Sequence, residues 1–368
     1  MDLVTTAALS GWGIAAALTM VAAVAGGLLL RGRRSVATFL VGAAVAAGLS
    51  AVATTRAVPR VAAIELRFAA ETGLGLAARE LNAGYNVEAA AALDRAEVQF
   101  RDLGRLAGDA PRQSREGLAR IELARGDVER VQGRLPEAKA RYATAAMRLN
   151  TLGHPDTAWA LLRLGHVELA LDDAEAARRS YGQAIPLFIR FGMARGEAEA
   201  RLAAGALARQ SGAFGEAVTN LEAAMRLFDD PLGQGRAMVE LAWVSQALRH
   251  TAVALAQASN AEDLFRAANA PFGLVLAPFV GAEIAIEDEE GEVAHAHLDR
   301  AQAALESMDD ALAGAARYLG LAATSQLRTR ASSNATVAYP DHHAEARMLL
   351  DTVTFLIGRG RNQADAVQ

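Results

Sequence analysis

An all-α solenoid of paired helices, preceded by a transmembrane helical hairpin, is the fold class that the sequence predicts. Three observations lead to it. A pattern of small and aromatic residues recurs along the chain, and the first 55 residues contain two long uncharged runs. Apolar residues make up 52% of the chain but aromatic residues only 5%, so the apolar content is mostly alanine, the strongest helix former. Beyond the N-terminal region, no alternating β-branched segments suggest a sheet.

The N-terminal region, residues 1–60, is predicted to be a membrane anchor. Residues 11–30 and 36–55 carry no charge. At about 1.5 Å per residue, each run could cross a hydrocarbon core of about 30 Å as a helix. The connection RGRRS is short enough only for a tight turn, and the many small residues would let the two helices approach closely. We therefore expect a helical hairpin in the lipid bilayer.

The arginine distribution predicts the orientation of this hairpin. Residues 1–10 contain no arginine, whereas the turn contains Arg31, Arg33 and Arg34. Because loops rich in positive charge stay in the cytoplasm, the rest of the chain is predicted to lie on the extracytoplasmic side, in the periplasm of a bacterium with the hairpin in its inner membrane. Further arginines follow the second span, so the orientation is assigned from the first span and from the denser arginine cluster in the turn.

A cleaved signal peptide is the alternative for the same segment. Arg33 and Arg34, the apolar run from Val36 and the AVA sequence at 51–53 resemble a secretory signal, with Thr54 as the mature N terminus. This alternative leads to the same compartment.

A repeat follows the anchor. Its landmarks are Gly126, Ala138, Tyr142 and Ala145, then Gly165, Ala177, Tyr181 and Ala184, then Gly205, Ala217, Leu221 and Ala224. The steps of 39 and 40 residues with constant internal spacing are typical of stacked helix pairs, in which small residues allow close approach and an aromatic ring fills the gap. Weaker copies begin at Gly84 and continue through Ala254 and Ala294, which predicts about five units over 61–317. Residues 318–368 are predicted to form a degenerate repeat or C-terminal cap and tail.

These landmarks resemble the tetratricopeptide repeat family, whose pattern places a small residue at position 8, alanine at 20, an aromatic at 24 and alanine at 27. The segment LARGDVERVQGRLPEAKARYATAA, residues 123–146, fits it well. Gly133 falls at the turn between the two helices, and Pro136 falls in the first turn of the second, where a missing N–H is tolerated. The resemblance covers about two thirds of the chain. The longer period predicts longer helices, as in arrays like those of kinesin light chains.

The resemblance implies a partner-binding groove lined by positions 2, 5, 9 and 12 of the first helix of each unit. In this sequence those positions give Arg120, Leu123, Asp127, Arg130, Trp159, Leu162, His166, Leu169, Glu199, Leu202, Arg209, Arg236, Val239, Trp243, Gln246 and, from a weaker fifth unit, Phe279. Tryptophan and arginine are the residue types that dominate interface hot spots. The alternative for Trp159 and Trp243 is burial by neighbouring helices. The asparagines and lysines of the family's carboxylate-clamp subgroup are missing.

No motif for catalysis or for cofactor binding is found, so we predict neither an enzyme nor a cofactor or metal site. The sequence has no phosphate-binding loop, no HExxH, no GxSxG and no EF-hand, and it contains no cysteine. His295 and His297 stand two residues apart on a helix, which separates their side chains, so they are interpreted as solvated. The acidic run EDEEGE at 287–292 is interpreted as a turn. With 32 basic and 41 acidic residues over 61–368, the repeats are acidic, which argues against nucleic-acid binding.

Together these features predict a membrane-anchored scaffold or adaptor that binds a protein partner in its groove on the extracytoplasmic side, within an envelope assembly. Two alternatives stay open. One is a structural accessory subunit of a larger membrane protein complex, with its groove permanently occupied. The other is a maturation adaptor that holds apocytochrome, because two N-terminal spans followed by an exported repeat domain resemble the cytochrome c maturation adaptor.

Overall fold

The computed structural model describes residues 60–307 and residues 324, 327 and 328. Within this part the regular structure is entirely helical, which confirms the all-α prediction there. None of the described helices is both long and apolar enough to pass through a membrane. The predicted spans at 11–30 and 36–55 and the signal-peptide alternative lie outside the described residues, as does nearly all of the segment 318–368.

Twelve helices follow one another in the described part of the chain, alternating between the first helix of a pair, A, and the second, B. The A helices are α1 (60–82), α3 (Ala110–Val131), α5 (Asp156–Ala170), α7 (Ala194–Gln210), α9 (Pro231–Ala247) and α11 (Pro271–Glu287). The B helices are α2 (Asn86–Leu103), α4 (Leu135–Leu152), α6 (Ala174–Arg190), α8 (Phe214–Leu227), α10 (Thr251–Ala267) and α12 (Gly291–Glu306). Six pairs are therefore present in this part, and the prediction of about five was too low.

The described residues divide into two compact units. The first contains residues 60–78 and 87–124, and the second contains residues 79–86 and those from 125 onward. In the first unit, Phe100 of α2 is buried against Gly117 of α3, and the Ser114 hydroxyl donates a 2.6 Å hydrogen bond to the Phe100 carbonyl. Gly73 of α1 faces Ala96 of α2, whereas Gly84, the predicted landmark of this pair, lies in the turn with a φ of 87°.

The second unit is a solenoid in which each helix packs on its neighbours in sequence. The backbones of successive A helices also approach one another, in the pairs α5 and α7, α7 and α9, and α9 and α11. Successive B helices are linked through long side chains, such as Arg178 of α6 to Glu216 of α8 at 3.6 Å. The stack therefore curves with its A helices on the inside. We call this side, formed by α5, α7, α9, α11 and the end of α3 from residue 125, the A-helix face.

The predicted role of the glycine and aromatic landmarks is confirmed. A Cβ added to Gly126 would lie 2.5 Å from Cε1 of Tyr142, and one added to Gly165 would lie 2.5 Å from Cε1 of Tyr181. Both tyrosine rings are fully buried. Helix A therefore rests directly on the ring of helix B, and a larger residue at the glycine would separate the two helices.

A second landmark, seven residues after the first aromatic position, was missed in the sequence. It joins one pair to the next, because a buried ring on helix B, or on the residue directly after it, packs against a glycine of the following helix A. The contacts are Phe188 with Gly196, Phe228 with Gly233, and Phe265 with Gly273 in the second unit, and Phe100 with Gly117 in the first. Leu149 and Leu305 are buried at the equivalent places.

From α3 onward, each turn between helices A and B contains one residue with a left-handed backbone. These residues are Gly133, Asp172, Gly212, Arg249 and Glu289. Gly133 and the first-turn Pro136 occupy the places that the sequence predicted. Glu289 lies in the predicted acidic turn, between the end of α11 at Glu287 and the start of α12 at Gly291.

The interpretation of His297 as a solvated residue was wrong. Its side chain is buried, with ring atoms 2.3 Å from the place that a Cβ on Gly281 would occupy, and its Nδ1 lies 2.7 Å from Nη2 of Arg300. Burial, and to a smaller degree the Arg300 charge, lower the pKa of His297 to about 4. The imidazole therefore fills the gap left by a glycine, as Leu221 does against Gly205.

Candidate functional site

The predicted groove residues all lie on A helices, but they differ in accessibility. Leu123, in the first unit, and Leu162, Leu202, Val239 and Gln246, in the second, are buried. Their side chains pack between the helices and cannot contact a partner without a rearrangement. The other predicted residues are half-buried or exposed, and their role in binding stays a prediction.

Aromatic and aliphatic side chains on the A-helix face are packed on one side only. Trp159 meets the ring of Phe188 edge to face, with centroids 4.9 Å apart and an interplanar angle of 76°. Trp243 and Phe279 pack against the core formed by α9, α10 and α11, and Leu169 packs against the core around Tyr181. All four are half-buried. Neighbouring helices therefore cover the two tryptophans in part, and the rest of each ring is accessible.

Charged groove residues bridge neighbouring A helices. In the first unit, Nη1 of Arg120 donates to both carboxylate oxygens of Glu71, at 2.8 and 2.7 Å. In the second unit, three ion pairs connect Asp127 with Arg163, Glu199 with Arg236, and Arg209 with Glu240. These guanidinium groups fix the spacing of the helices, so they are less available to a partner than the sequence suggested.

Two polar contacts accompany these bridges. The Tyr142 hydroxyl donates a 2.7 Å hydrogen bond to Oδ1 of Asp127. Burial, followed by the negative charge of Asp127, raises the pKa of Tyr142, so this hydroxyl stays protonated and remains a donor. Further along the face, the buried Gln246 donates a 2.8 Å hydrogen bond from Nε2 to Glu287, while its Oε1 has no partner.

His166 differs from the other polar groove residues because it is exposed and forms no hydrogen bond or ion pair with another described residue. Its ring stands edge to face on Tyr181, with centroids 5.6 Å apart and an interplanar angle of 62°. The surrounding helices reduce its hydration and lower the pKa of His166 below the ordinary value. Nearby arginine charges act in the same direction, while Glu199 opposes them. At neutral pH the imidazole is therefore uncharged.

Arg130 is the one predicted groove arginine without a side-chain hydrogen bond or ion pair within the described part of the chain. Its charge acts on both Tyr142 and His166. An arginine held on a curved helical face without a carboxylate partner is available for an anionic group from another molecule. The described residues contain no group of three or more side chains that could hold a metal ion.

Comparisons with known proteins agree with this geometry. Residues 117–190 match the family model described as tetratricopeptide repeat. No curated protein matches the sequence. The described helices thus form a helical repeat array that resembles tetratricopeptide repeats, with the family match confined to residues 117–190.

Several solved structures share the fold at low sequence identity. BtubC (BKLC) from P. vanneervenii is 17% identical, with a TM-score of 0.50 over 60% of this chain and 91% of that one. A Rap protein complexed with Competence and Sporulation Factor is 15% identical, with a TM-score of 0.50 over 83% and 93%. The apo form of the quorum sensor NprR from B. thuringiensis is 12% identical, with a TM-score of 0.56 over 84% and 86%.

Proposed function

We propose that this protein is a non-enzymatic scaffold or adaptor that binds a segment of a protein partner along the A-helix face. The observation that carries the proposal is the row of half-buried apolar side chains on successive A helices, Trp159, Leu169, Trp243 and Phe279, beside the exposed His166 and the unpaired Arg130. Interfaces between proteins are typically enriched in large apolar side chains and in arginine.

The bridges between A helices support this function because they hold the face in one shape before a partner arrives. A preformed surface loses less conformational freedom on binding, which favours affinity. The similar Rap structure is complexed with Competence and Sporulation Factor, so a fold of this type can bind another molecule.

The proposal includes attachment to a bacterial inner membrane through residues 11–30 and 36–55 of the chain. The repeats then lie on the extracytoplasmic side, as part of an envelope assembly. Its support is the sequence: two uncharged runs of sufficient length and three arginines between them.

Fractionation of cells that produce the full chain tests this membrane attachment. We expect the protein in the membrane fraction after carbonate extraction, with the repeats open to protease once the outer membrane is permeabilised. Recovery in the soluble fraction would contradict it.

Photocrosslinking in cells tests the binding face. A photoreactive phenylalanine analogue placed at Trp159 or Trp243 keeps an aromatic ring at each position, and Ile189, exposed on helix B, is the control site. We expect both face positions, but not the control, to capture the same partner, identified by mass spectrometry. Crosslinks only between copies of this chain, or equal capture from position 189, would contradict the proposed face.

A further inference from the structure

One contact that joins successive repeats is complete in one place and incomplete in the next. Between α3 and α5, the Tyr142 hydroxyl donates to Asp127, and Arg163 of the following A helix donates to the other oxygen of that carboxylate. We call this three-residue contact a rung. It satisfies a buried hydroxyl, a carboxylate and a guanidinium at once, and it ties helix B of one pair to the A helices of two pairs.

The equivalent rung between α5 and α7 lacks two of its three groups. His166 directly follows the landmark glycine of α5, as Asp127 directly follows that of α3. Ala203 stands two residues before the landmark glycine of α7, as Arg163 stands two residues before that of α5. Tyr181 retains the tyrosine, but its hydroxyl is buried and has no hydrogen-bond partner. A buried polar group without a partner is uncommon because it loses its hydration without compensation. The incomplete rung therefore leaves a buried donor beside an exposed histidine.

The chemistry of a neutral imidazole decides what could complete the rung. One ring nitrogen accepts a hydrogen bond and the other donates one. The ring of His166 is exposed and stands edge to face on the ring of Tyr181, so completion of the rung requires this ring to turn its acceptor nitrogen to the Tyr181 hydroxyl. The second nitrogen then presents an N–H to the solvent side of the A-helix face. A group that completes the rung must accept this hydrogen bond.

The charges around His166 favour an anionic acceptor. Of these charges, the carboxylate of Glu199 acts most strongly on the imidazole, and the charges of Arg130, Arg163 and Arg236 oppose it. Arg163 is neutralised by Asp127 and Arg236 by Glu199, but Arg130 has no such partner among the described residues. The imidazole N–H and the unpaired guanidinium are both hydrogen-bond donors on the A-helix face, and a carboxylate can accept hydrogen bonds from two such groups.

We propose that Arg130, His166 and Tyr181 form a subsite that binds the carboxylate of an aspartate or glutamate side chain in the partner segment. Arg130 and His166 contact the carboxylate, and Tyr181 is a positioning residue that holds the imidazole. The A-helix face continues from the subsite through α7, α9 and α11, and we assign the carboxylate to a side chain of the segment that lies along it. This inference rests on the proposed function, since it assigns the chemistry of one position in the bound segment.

Selection of random dodecapeptides displayed on phage, against the full chain in lipid nanodiscs, tests the subsite. Peptides whose binding is lost in Trp243→Ala bind the A-helix face, and we expect these peptides to share an aspartate or glutamate at one position. Replacement of that acid by its amide should weaken binding of the synthetic peptide about tenfold or more. Amidation of the peptide C terminus should leave its affinity unchanged, which distinguishes a side chain from a terminus.

Variants of the protein assign the residues. Arg130→Gln and His166→Leu should each weaken binding about tenfold, and in Arg130→Gln the acid and amide peptides should bind almost equally. Tyr181→Phe should weaken binding about threefold to tenfold, because the imidazole loses its orientation. Tyr142→Phe, which alters the complete rung, is the matched control and should leave the preference for the acidic peptide intact.

A variant that restores the rung tests whether misfolding explains the loss of binding in the other variants. His166→Asp combined with Ala203→Arg places the groups of the complete rung beside Tyr181, so we expect a higher melting temperature and loss of the preference for acidic peptides. Peptides that bind the A-helix face without an acidic position would overturn the subsite and leave the proposed function standing. Failure to select any peptide that depends on Trp243 would contradict the proposed function and the subsite together.

Discussion

Tyr142 and Tyr181 occupy equivalent places in consecutive repeats, yet their hydroxyl groups have different surroundings. The Tyr142 hydroxyl donates to Asp127, whereas the Tyr181 hydroxyl has no partner. The sequence identified both tyrosines as packing residues, because the spacing to glycine and alanine is the same. It could not show the state of the hydroxyls, since that depends on residues 15 positions away and on the neighbouring A helix.

Removal of each hydroxyl should therefore affect stability differently. Tyr142→Phe removes a buried hydrogen bond to a charged group and should lower the free energy of unfolding by about 1–3 kcal/mol. Tyr181→Phe removes a hydroxyl that makes no bond and should change it by less than about 0.5 kcal/mol. Urea denaturation followed by circular dichroism measures both. Equal losses would show that the Tyr181 hydroxyl has a partner in the free protein.

The landmark glycines give a second prediction at the scale of single residues. Gly165→Ala places a methyl group 2.5 Å from Cε1 of Tyr181, so the helices must separate, and we expect a loss of about 1–3 kcal/mol. Gly182, on the B helix of the same pair, has no heavy atom within 4 Å of an added Cβ. Gly182→Ala should therefore stabilise by about 0.5–1 kcal/mol through helix propensity. Thermal unfolding of the two variants makes the comparison, and similar shifts would refute it.

At the scale of helices, the sequence predicted the existence of the elements better than their number or their joints. Pro136 and Gly133 marked the start of α4 and the preceding turn, because proline and glycine act locally. The contacts between pairs, such as Phe188 against Gly196, were not predicted, since the partner glycine lies in a different helix and belongs to a second spacing. The ion pairs between A helices were missed for the same reason, and so the sequence assigned these arginines to the groove alone.

The start of α9 depends on a cap that can be tested. The Asp230 side chain accepts a 2.8 Å hydrogen bond from the Gly233 N–H, and Pro231 begins the helix. Asp230→Ala leaves this N–H without its acceptor and should lower stability by about 1 kcal/mol, while Asp230→Ser should retain most of it. Asp229→Ala removes a charge one residue earlier, where no cap is formed, and should cost less than about 0.5 kcal/mol. Chemical denaturation distinguishes the three, and equal effects at 229 and 230 would argue against the cap.

For the molecule as a whole, the sequence was sufficient for the repeat architecture and for the helices that form the face, because both depend on a period that recurs. It was less informative about accessibility. Leu162 and Val239 satisfy the family pattern at groove positions but are buried, and His297 was placed in solvent although it fills the space beside Gly281. Burial depends on the curvature between pairs, which no single repeat contains.

The stability of the second unit should decrease in mild acid. His297 has a pKa of about 4 when folded, below the value of 6.5 for a free histidine, and the pKa of His166 is lowered as well. The unfolded chain therefore binds more protons between these values, so stability is complete above about pH 6.5 and falls towards pH 4, by up to about 1.4 kcal/mol per pH unit for the buried His297.

His297→Leu should reduce this slope, because a leucine fills the same space against Gly205 elsewhere in the fold. His295→Gln, on the same helix, removes a histidine without touching Gly281 and is the matched control. Denaturation midpoints measured from pH 7 to pH 4 provide the comparison. An unchanged slope in His297→Leu would contradict the assignment.

The bridges from Glu199 to Arg236 and from Asp127 to Arg163 are partly exposed, so their contribution to the spacing of the A helices in the second unit depends on ionic strength. Dissolved ions shorten the reach of charge from about 10 Å at 0.1 M salt to about 3 Å at 1 M, which weakens attraction across the gaps between A helices. Concentrated salt should therefore weaken this contribution, whereas dilute buffer should strengthen it. A partner that depends on this spacing would dissociate as the salt concentration rises, with no change in any residue that touches it.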